Sequence, residues 1–219
     1  MKIISISGLD GSGKSTQAKM LQDFFEKKGK QTYYFHAVQF SVPQALKSFF
    51  KKHCLICKLF GKCKVGSDNK PKRGSIETGE KPGVTKAGCI GISLRKIAFI
   101  IDVVRFKFLK KKLTRNGIDF LITDRYFYDT VVNISYLENR NTPSKIERYI
   151  PQADAAFYLK IQPESIMTRP RVPEQGLQYL KDKKKLYDMF SSLWNFQIID
   201  ASLPPEKLFE KILTELKKS

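Results

Sequence analysis

Nine residues near the start of the chain, GLDGSGKST from Gly8 to Thr16, restrict the fold more than any other feature. They fit the pattern G-x-x-x-x-G-K-[ST], with Gly8, Gly13, Lys14 and Ser15 in the required places. The apolar run KIISIS (2–7) precedes them. A helical pattern follows, with Ala18, Leu21, Phe24 and Phe25 at helical spacing and Gly29 placed to stop it. Strand, loop and helix in this order can wrap a chain of phosphates. Glycine lets the backbone come close and aim its N–H groups inward, and the helix N-terminus adds partial positive charge. The loop Gly8, Gly11, Ser12, Gly13, Lys14, Ser15 and Thr16 therefore reads as the cradle of a nucleoside triphosphate, ATP. Lys14 would reach the β- and γ-phosphates, and the Ser15 hydroxyl would ligate Mg²⁺.

The rest of the chain alternates in the same way. QTYYF (31–35), IDFLITD (118–124), DAAFYLKI (154–161) and FQIID (196–200) read as strands. The stretch from Pro204 to Lys217 reads as an amphipathic helix with Leu208, Ile212, Leu213 and Leu216 on one face. Strands alternating with helices imply βαβ units. The expected fold is a three-layer α/β domain over residues 1–219, with a five-stranded parallel sheet and helices on both faces. One stretch breaks the pattern. Residues 61–88 are rich in Gly, Lys, Pro and Ser with no hydrophobic period, and read as a long loop inside a basic, cysteine-containing insertion at about 51–90.

Charge narrows the partners. Forty Lys and Arg against 21 Asp and Glu give a formal net charge of +19, which suits nucleotides, nucleic acid or a membrane surface. A single lysine cluster, such as Lys181 to Lys185, reads by itself as a solvated helix face. The longest apolar run, IAFIIDVVRFKF, is interrupted by Asp102 and Arg105, so no membrane span is expected. MKIISISG is too short for a signal sequence. The expectation is a cytoplasmic protein whose thiols stay reduced. Cys54, Cys57 and Cys63 are spaced C-x₂-C-x₅-C, and Cys89 follows the loop. Four thiolates can form a structural Zn²⁺ site, and C-x₂-C is a common half of one. The absence of a second close pair keeps buried thiols as the alternative.

FLITDRYFYDT (120–130) carries Asp124 and Arg125 to the carboxyl end of a buried strand, the edge where ligands sit in open α/β sheets. An aspartate there can organise Mg²⁺, and an arginine can clamp a phosphate with two parallel hydrogen bonds. A pair that merely caps the next helix is the alternative. GLDGSGKSTQ, TDRYFYDT, ADAAFYLKIQPESIMTRPR and the ending IIDASLPPEKLFEKI together resemble the thymidylate kinases, over most of the chain outside roughly residues 36–94. The resemblance implies a P-loop nucleoside-monophosphate kinase that moves a phosphoryl group from ATP, with Mg²⁺, to dTMP. It also implies a homodimer. Lys14 and the loop backbone would hold the donor, Asp10 would contact the acceptor sugar, Arg125 and Tyr126 would hold the acceptor, and Asp124 would organise the metal. Arg105 would reach the acceptor base. Residues 167–180 would form a lid, with Arg169 and Arg171 neutralising the transferring phosphoryl group. The phosphate loop has Gly11 after Asp10 and carries no arginine of its own, so that charge must come from the lid.

Several positions depart from the family's pattern, and each is expected to touch the acceptor. The stretch YFHAVQFSVPQALKSFF has no arginine where the family binds the acceptor phosphate; Gln39 and Phe40 stand there. Ile101 replaces the aromatic one turn before Arg105, and Asp129 replaces a small residue after the DRY segment. Two other readings stay open: a P-loop kinase of a different small acceptor, and a basic, nucleotide-dependent nucleic-acid binder using residues 61–88. For the kinase readings, nucleic acid should be retained only weakly and non-specifically.

Overall fold

The computed structural model describes residues 1–36, 89–170 and 172–218. Arg171, Gln39, Phe40, Cys54, Cys57, Cys63 and nearly all of the 51–90 insertion lie outside the described residues. Five strands form one sheet: β1 (Lys2–Gly8), β2 (Thr32–His36), β3 (Phe120–Asp124), β4 (Ala155–Lys160) and β5 (Gln197–Asp200). Their order is β2-β3-β1-β4-β5 and every pairing is parallel. The helices are α1 (Lys14–Lys27), α2 (Cys89–Arg115), α3 (Phe127–Leu137), α4 (Pro163–Met167), α5 (Gly176–Ser191) and α6 (Pro205–Leu216), with a 3₁₀ turn at Lys145–Tyr149.

β1 lies at the centre. Ile3, Ile4 and Ile6 are all buried, as expected of a parallel strand covered on both faces. Its register sets Ile6 beside Asp124 and Gly8 beside Leu159. The carboxyl ends of β1, β3 and β4 therefore come out together, and the candidate residues sit there. α1 packs on β1, β2 and β3 and against α6, while α3 packs on β1 between α2 and α5. α1 stops at Lys28, where Gly29 takes φ +71° and its N–H returns to the Glu26 carbonyl at 2.9 Å.

The expected strands and helices are all present, with ends shifted by a residue or two. α2 is longer than its apolar run: it begins at Cys89 and continues through the basic stretch to Arg115. The last five residues of the expected lid, Gly176 to Leu180, are regular structure, forming the start of α5. Among the described residues, no helix is long and apolar enough to cross a membrane.

Candidate active site

The phosphate loop joins β1 to α1 and turns on three glycines with positive φ: Gly8 at +149°, Gly11 at +84° and Gly13 at +96°. At Gly8 and Gly11 there is also no room for a side chain. A Cβ on Gly8 would stand 2.9 Å from the Leu159 carbonyl oxygen, and one on Gly11 would stand 2.8 Å from Ile166 Cγ2. Close packing on β4 and α4 thus explains two glycines, and backbone conformation alone explains Gly13. α1 begins at Lys14, so the first-turn amides of Lys14, Ser15 and Thr16 lie at the positive end of the helix.

Lys14 is 5% exposed, and its ammonium is held inside the loop. Nζ donates to the carbonyl oxygens of Gly8 at 3.0 Å and Leu9 at 2.6 Å. Burial pulls its pKa down to about 8, although the carboxylates of Asp129, Asp10 and Asp124 oppose the fall. A cation kept among carbonyl oxygens can exchange them for phosphate oxygens without reorganising the loop.

Asp124 and Arg125 close the other side. The Ser15 hydroxyl donates to Asp124 Oδ2 at 2.5 Å, and the Tyr34 hydroxyl donates to the same oxygen at 3.0 Å. Asp124 Oδ1 is buried with no hydrogen bond. One hydroxyl and one carboxylate, with one of its oxygens unpaired, make a hard oxygen donor set that fits Mg²⁺, which usually takes few protein ligands and the rest from phosphates and water. No group of three or more His, Cys, Asp or Glu suited to a metal occurs among the described residues.

Arg125 turns the chain from β3 into α3 with φ +64°, a left-handed conformation that costs a non-glycine residue energy. Its N–H is tied to the Ile6 carbonyl at 3.1 Å, and its guanidinium reaches across to Asp10 Oδ1 at 2.5 Å. Burial alone would raise the Asp10 carboxyl, but the charges of Lys183, Lys14 and Arg125 hold it below the ordinary aspartate value. Arg125 is shifted the opposite way: burial lowers it, and Asp10 and Asp129 more than restore it. The donor loop and the DRY turn are thus joined by an ion pair across the mouth of the site.

Arg169 also reaches the loop. Its Nη1 donates to the Gly11 carbonyl at 2.5 Å and its Nη2 to Ala201 O at 2.9 Å, in the IDAS segment. One lid arginine therefore touches both the phosphate loop and the turn after β5.

Beyond Arg125 lies a cavity of about 260 Å³, lined by Arg95, Phe99, Asp102, Arg125, Asp129, Thr130 and Asn133 among others. Arg105 and Ile101, the residues expected near an acceptor base, are not on its wall. Arg105 forms a 3.5 Å ion pair with Asp102, and Ile101 is on an exposed face of α2. From α2 the cavity is lined by Arg95, Phe99 and Asp102. Tyr126 borders the cavity, but its ring is fully buried among Phe106, Phe127 and Tyr128.

Two residues have a further role. Asp129, on the wall of that cavity, is at the same time a buried anchor under the donor loop. Its carboxylate accepts from the Ser7 hydroxyl at 2.7 Å, the Tyr126 N–H at 2.8 Å, the Tyr187 hydroxyl at 2.6 Å and, more loosely, the Gly8 N–H at 3.4 Å. Lys183 was read with Lys181 to Lys185 as solvated, yet it is 3% exposed. Its ammonium lies 5.0 Å from the centre of the Tyr179 ring. Burial lowers its pKa, and Asp10 and Asp129 offset part of that. The sequence carried a signal for both. Asp129 stands at the third position of a helix start, where a carboxylate caps the preceding backbone N–H. Lys183 falls between Tyr179 and Tyr187 at four-residue steps, on the apolar face of α5.

A parallel sheet in this order, with a phosphate loop after β1 and an Asp-Arg pair after β3, defines the P-loop kinase fold. No family model matches the chain. The chain is similar over its whole length to the thymidylate kinase of Coprothermobacter proteolyticus, with 25% identity over 229 aligned positions covering 98% of both chains. It is also similar to the probable thymidylate kinase of Metallosphaera sedula, at 21% identity over 95% of this chain and 88% of that one. The solved structure of thymidylate kinase from Candida albicans superposes with a TM-score of 0.63, at 15% identity, covering 99% of this chain and 91% of that one. The chain is a divergent relative of the thymidylate kinases.

Proposed function

We propose that this protein transfers the γ-phosphoryl group of ATP to a nucleoside monophosphate, dTMP first among them, acting in the cytoplasm as a homodimer. The observation that carries the reading is the Asp10–Arg125 ion pair, which ties a built phosphate cradle to an arginine at the edge of a separate cavity. A donor site and an acceptor site side by side are what phosphoryl transfer between two nucleotides needs. Full-length likeness to proteins named thymidylate kinase supports the acceptor.

In the reaction an oxygen of the acceptor's 5′-phosphate attacks the γ-phosphorus, the bond to the bridging oxygen of ADP breaks, and ADP leaves. Lys14 and the loop amides hold the β- and γ-phosphates in line, so the work is positioning and charge stabilisation. Arg125 holds the acceptor phosphate, and Asp10 orients Arg125 at the acceptor's sugar side. Ser15 and Asp124 would hold Mg²⁺, which when bound offsets the negative charge between the β- and γ-phosphates. Arg169, with its guanidinium already at Gly11, is placed to neutralise charge on the transferring group, with Arg171 as its partner from the lid. The test is ADP release with ATP and Mg²⁺ over dTMP, dUMP, UMP, dGMP, AMP and thymidine. Turnover with dTMP well above UMP, AMP and thymidine is expected. Protein that binds ATP and turns over none of them would refute the reading.

An exposed stripe supports the dimer. Leu94, Ile97, Ile101, Val104 and Phe108 are all half or more exposed, or nearly so, and recur at alternating three- and four-residue steps along α2. That spacing lines one helix face, as in paired helices. Charging the stripe with Ile101→Glu and Phe108→Glu together should convert a dimer to a monomer in light scattering, with the far-UV spectrum retained. Unchanged mass would place the interface elsewhere.

A further inference from the structure

Asp124 has a partner from outside the phosphate loop. The Tyr34 hydroxyl donates to Asp124 Oδ2 at 3.0 Å, the same oxygen that accepts from the Ser15 hydroxyl at 2.5 Å. The register of the edge strand explains how Tyr34 gets there. His36 of β2 lies beside Asp124 of β3, and Tyr34 lies beside Ile122, two residues back. Alternate residues share a sheet face, so Tyr34 is on the same side as Phe120, Ile122 and Asp124. That side is covered by α1, which carries Ser15: Phe120 stacks on Phe25 of α1. Phe35, one residue on from Tyr34, turns the other way and meets Phe106 of α2. Two residues of strand span roughly 7 Å, a gap that a phenol leaning along the sheet bridges and a short side chain does not.

Resting on the kinase reading above, we propose that Tyr34 is a positioning residue for the metal: it locks the Asp124 carboxylate so that the Ser15 hydroxyl presents its lone pairs to Mg²⁺. A hydroxyl has one proton and two lone pairs, and an ionised carboxylate offers acceptors only. With its proton committed to Asp124, Ser15 has only lone pairs to turn towards a cation. That commitment lasts while Oδ2 stays in place. The terminal torsion of an aspartate is broad, so a carboxylate held by one hydroxyl can swing. Held by two, one from α1 and one from β2, it is fixed. The Tyr34 hydroxyl is spent on Asp124, so it acts through that residue. Outer partners of this kind change metal affinity by about ten- to a hundredfold. Tyr34 lies outside every motif of the sequence and reaches the site only through strand pairing.

The experiment titrates a non-hydrolysable ATP analogue into the wild type and Tyr34→Phe by calorimetry, once with Mg²⁺ and once with a chelator, with melting temperatures alongside. Phenylalanine keeps the ring and removes only the hydroxyl. The gain in analogue affinity that Mg²⁺ brings should fall about tenfold in Tyr34→Phe, with the metal-free affinity within about twofold of wild type. The melting temperature should stay within a few degrees. In an Asp124→Asn background, adding Tyr34→Phe should change that gain by less than about twofold, because the effect passes through the carboxylate. An undiminished gain in Tyr34→Phe overturns the proposal. So does an equal loss with and without Mg²⁺, which marks a merely structural hydroxyl, or the full loss persisting in Asp124→Asn. A wild type that binds the analogue no better with Mg²⁺ also overturns it, and leaves the kinase reading to be judged by turnover. Protein that binds no analogue at all brings both down.

Discussion

Lys14→Ala should lower phosphoryl transfer by about a thousandfold or more, while the protein still folds. In P-loop enzymes catalysis is nearly all positioning and charge stabilisation at the γ-phosphate, and loss of one preorganised cation or donor there costs about two to five orders of magnitude in rate. The structural cost is small, because Lys14 bonds only to the Gly8 and Leu9 carbonyl oxygens, which water can reach once the side chain is gone. Removing a buried charge also relieves its desolvation. The check is ADP release with saturating dTMP, together with the melting temperature. Lost turnover with a melting temperature within a few degrees of wild type assigns Lys14 to the donor phosphates. Turnover within tenfold of wild type would mean that the loop does not hold the transferred group.

Asp129→Ala should produce the largest loss of stability in the site, about 3–5 kcal/mol, or on the order of 10 °C in melting temperature. Four donors converge on that carboxylate: the hydroxyls of Ser7 and Tyr187 and the backbone N–H groups of Tyr126 and Gly8. Truncation leaves them buried without an acceptor, and each orphan costs more than the bond was worth. Lys14 and Lys183, both drawn towards Asp129, lose a counter-charge as well. Asp129→Asn keeps the shape and some acceptor capacity, so its loss should be smaller. Equal melting temperatures for wild type and Asp129→Ala would show that the network contributes little.

The architecture was legible because its signals are local. Apolar runs of strand length, a glycine loop of fixed spacing and an amphipathic last helix each depend on a few neighbouring residues, and the structure has them in the expected places. The phosphate cradle was legible for the same reason, and so was Asp124 beside Ser15. What escaped the sequence depends on residues far apart in the chain. Asp129 meets Tyr187 and Ser7 only after the sheet has formed, at separations of 58 and 122 residues. Lys183 looked solvated because four of the five residues from Lys181 to Lys185 are lysine, and composition hides which one lies on the packed face. Which residues of α2 line the cavity was not legible either, because only packing decides which face of a helix meets the site.

The position of β1 in the sheet has a consequence for how the molecule comes into being. β1 precedes the other four strands of the sheet in the chain, yet its neighbours are β3 and β4, which begin at Phe120 and Ala155. No neighbour in sequence can pair with it first. Its apolar edge must therefore wait for more than half of the chain, and the loop closures that bring those partners back carry an entropic cost before any contact repays it. A chain built this way should fold slowly for its size, with its central strand exposed during the wait. Nascent or refolding protein is then most open to aggregation, or to protection by a chaperone, through the strand that ends in the phosphate loop.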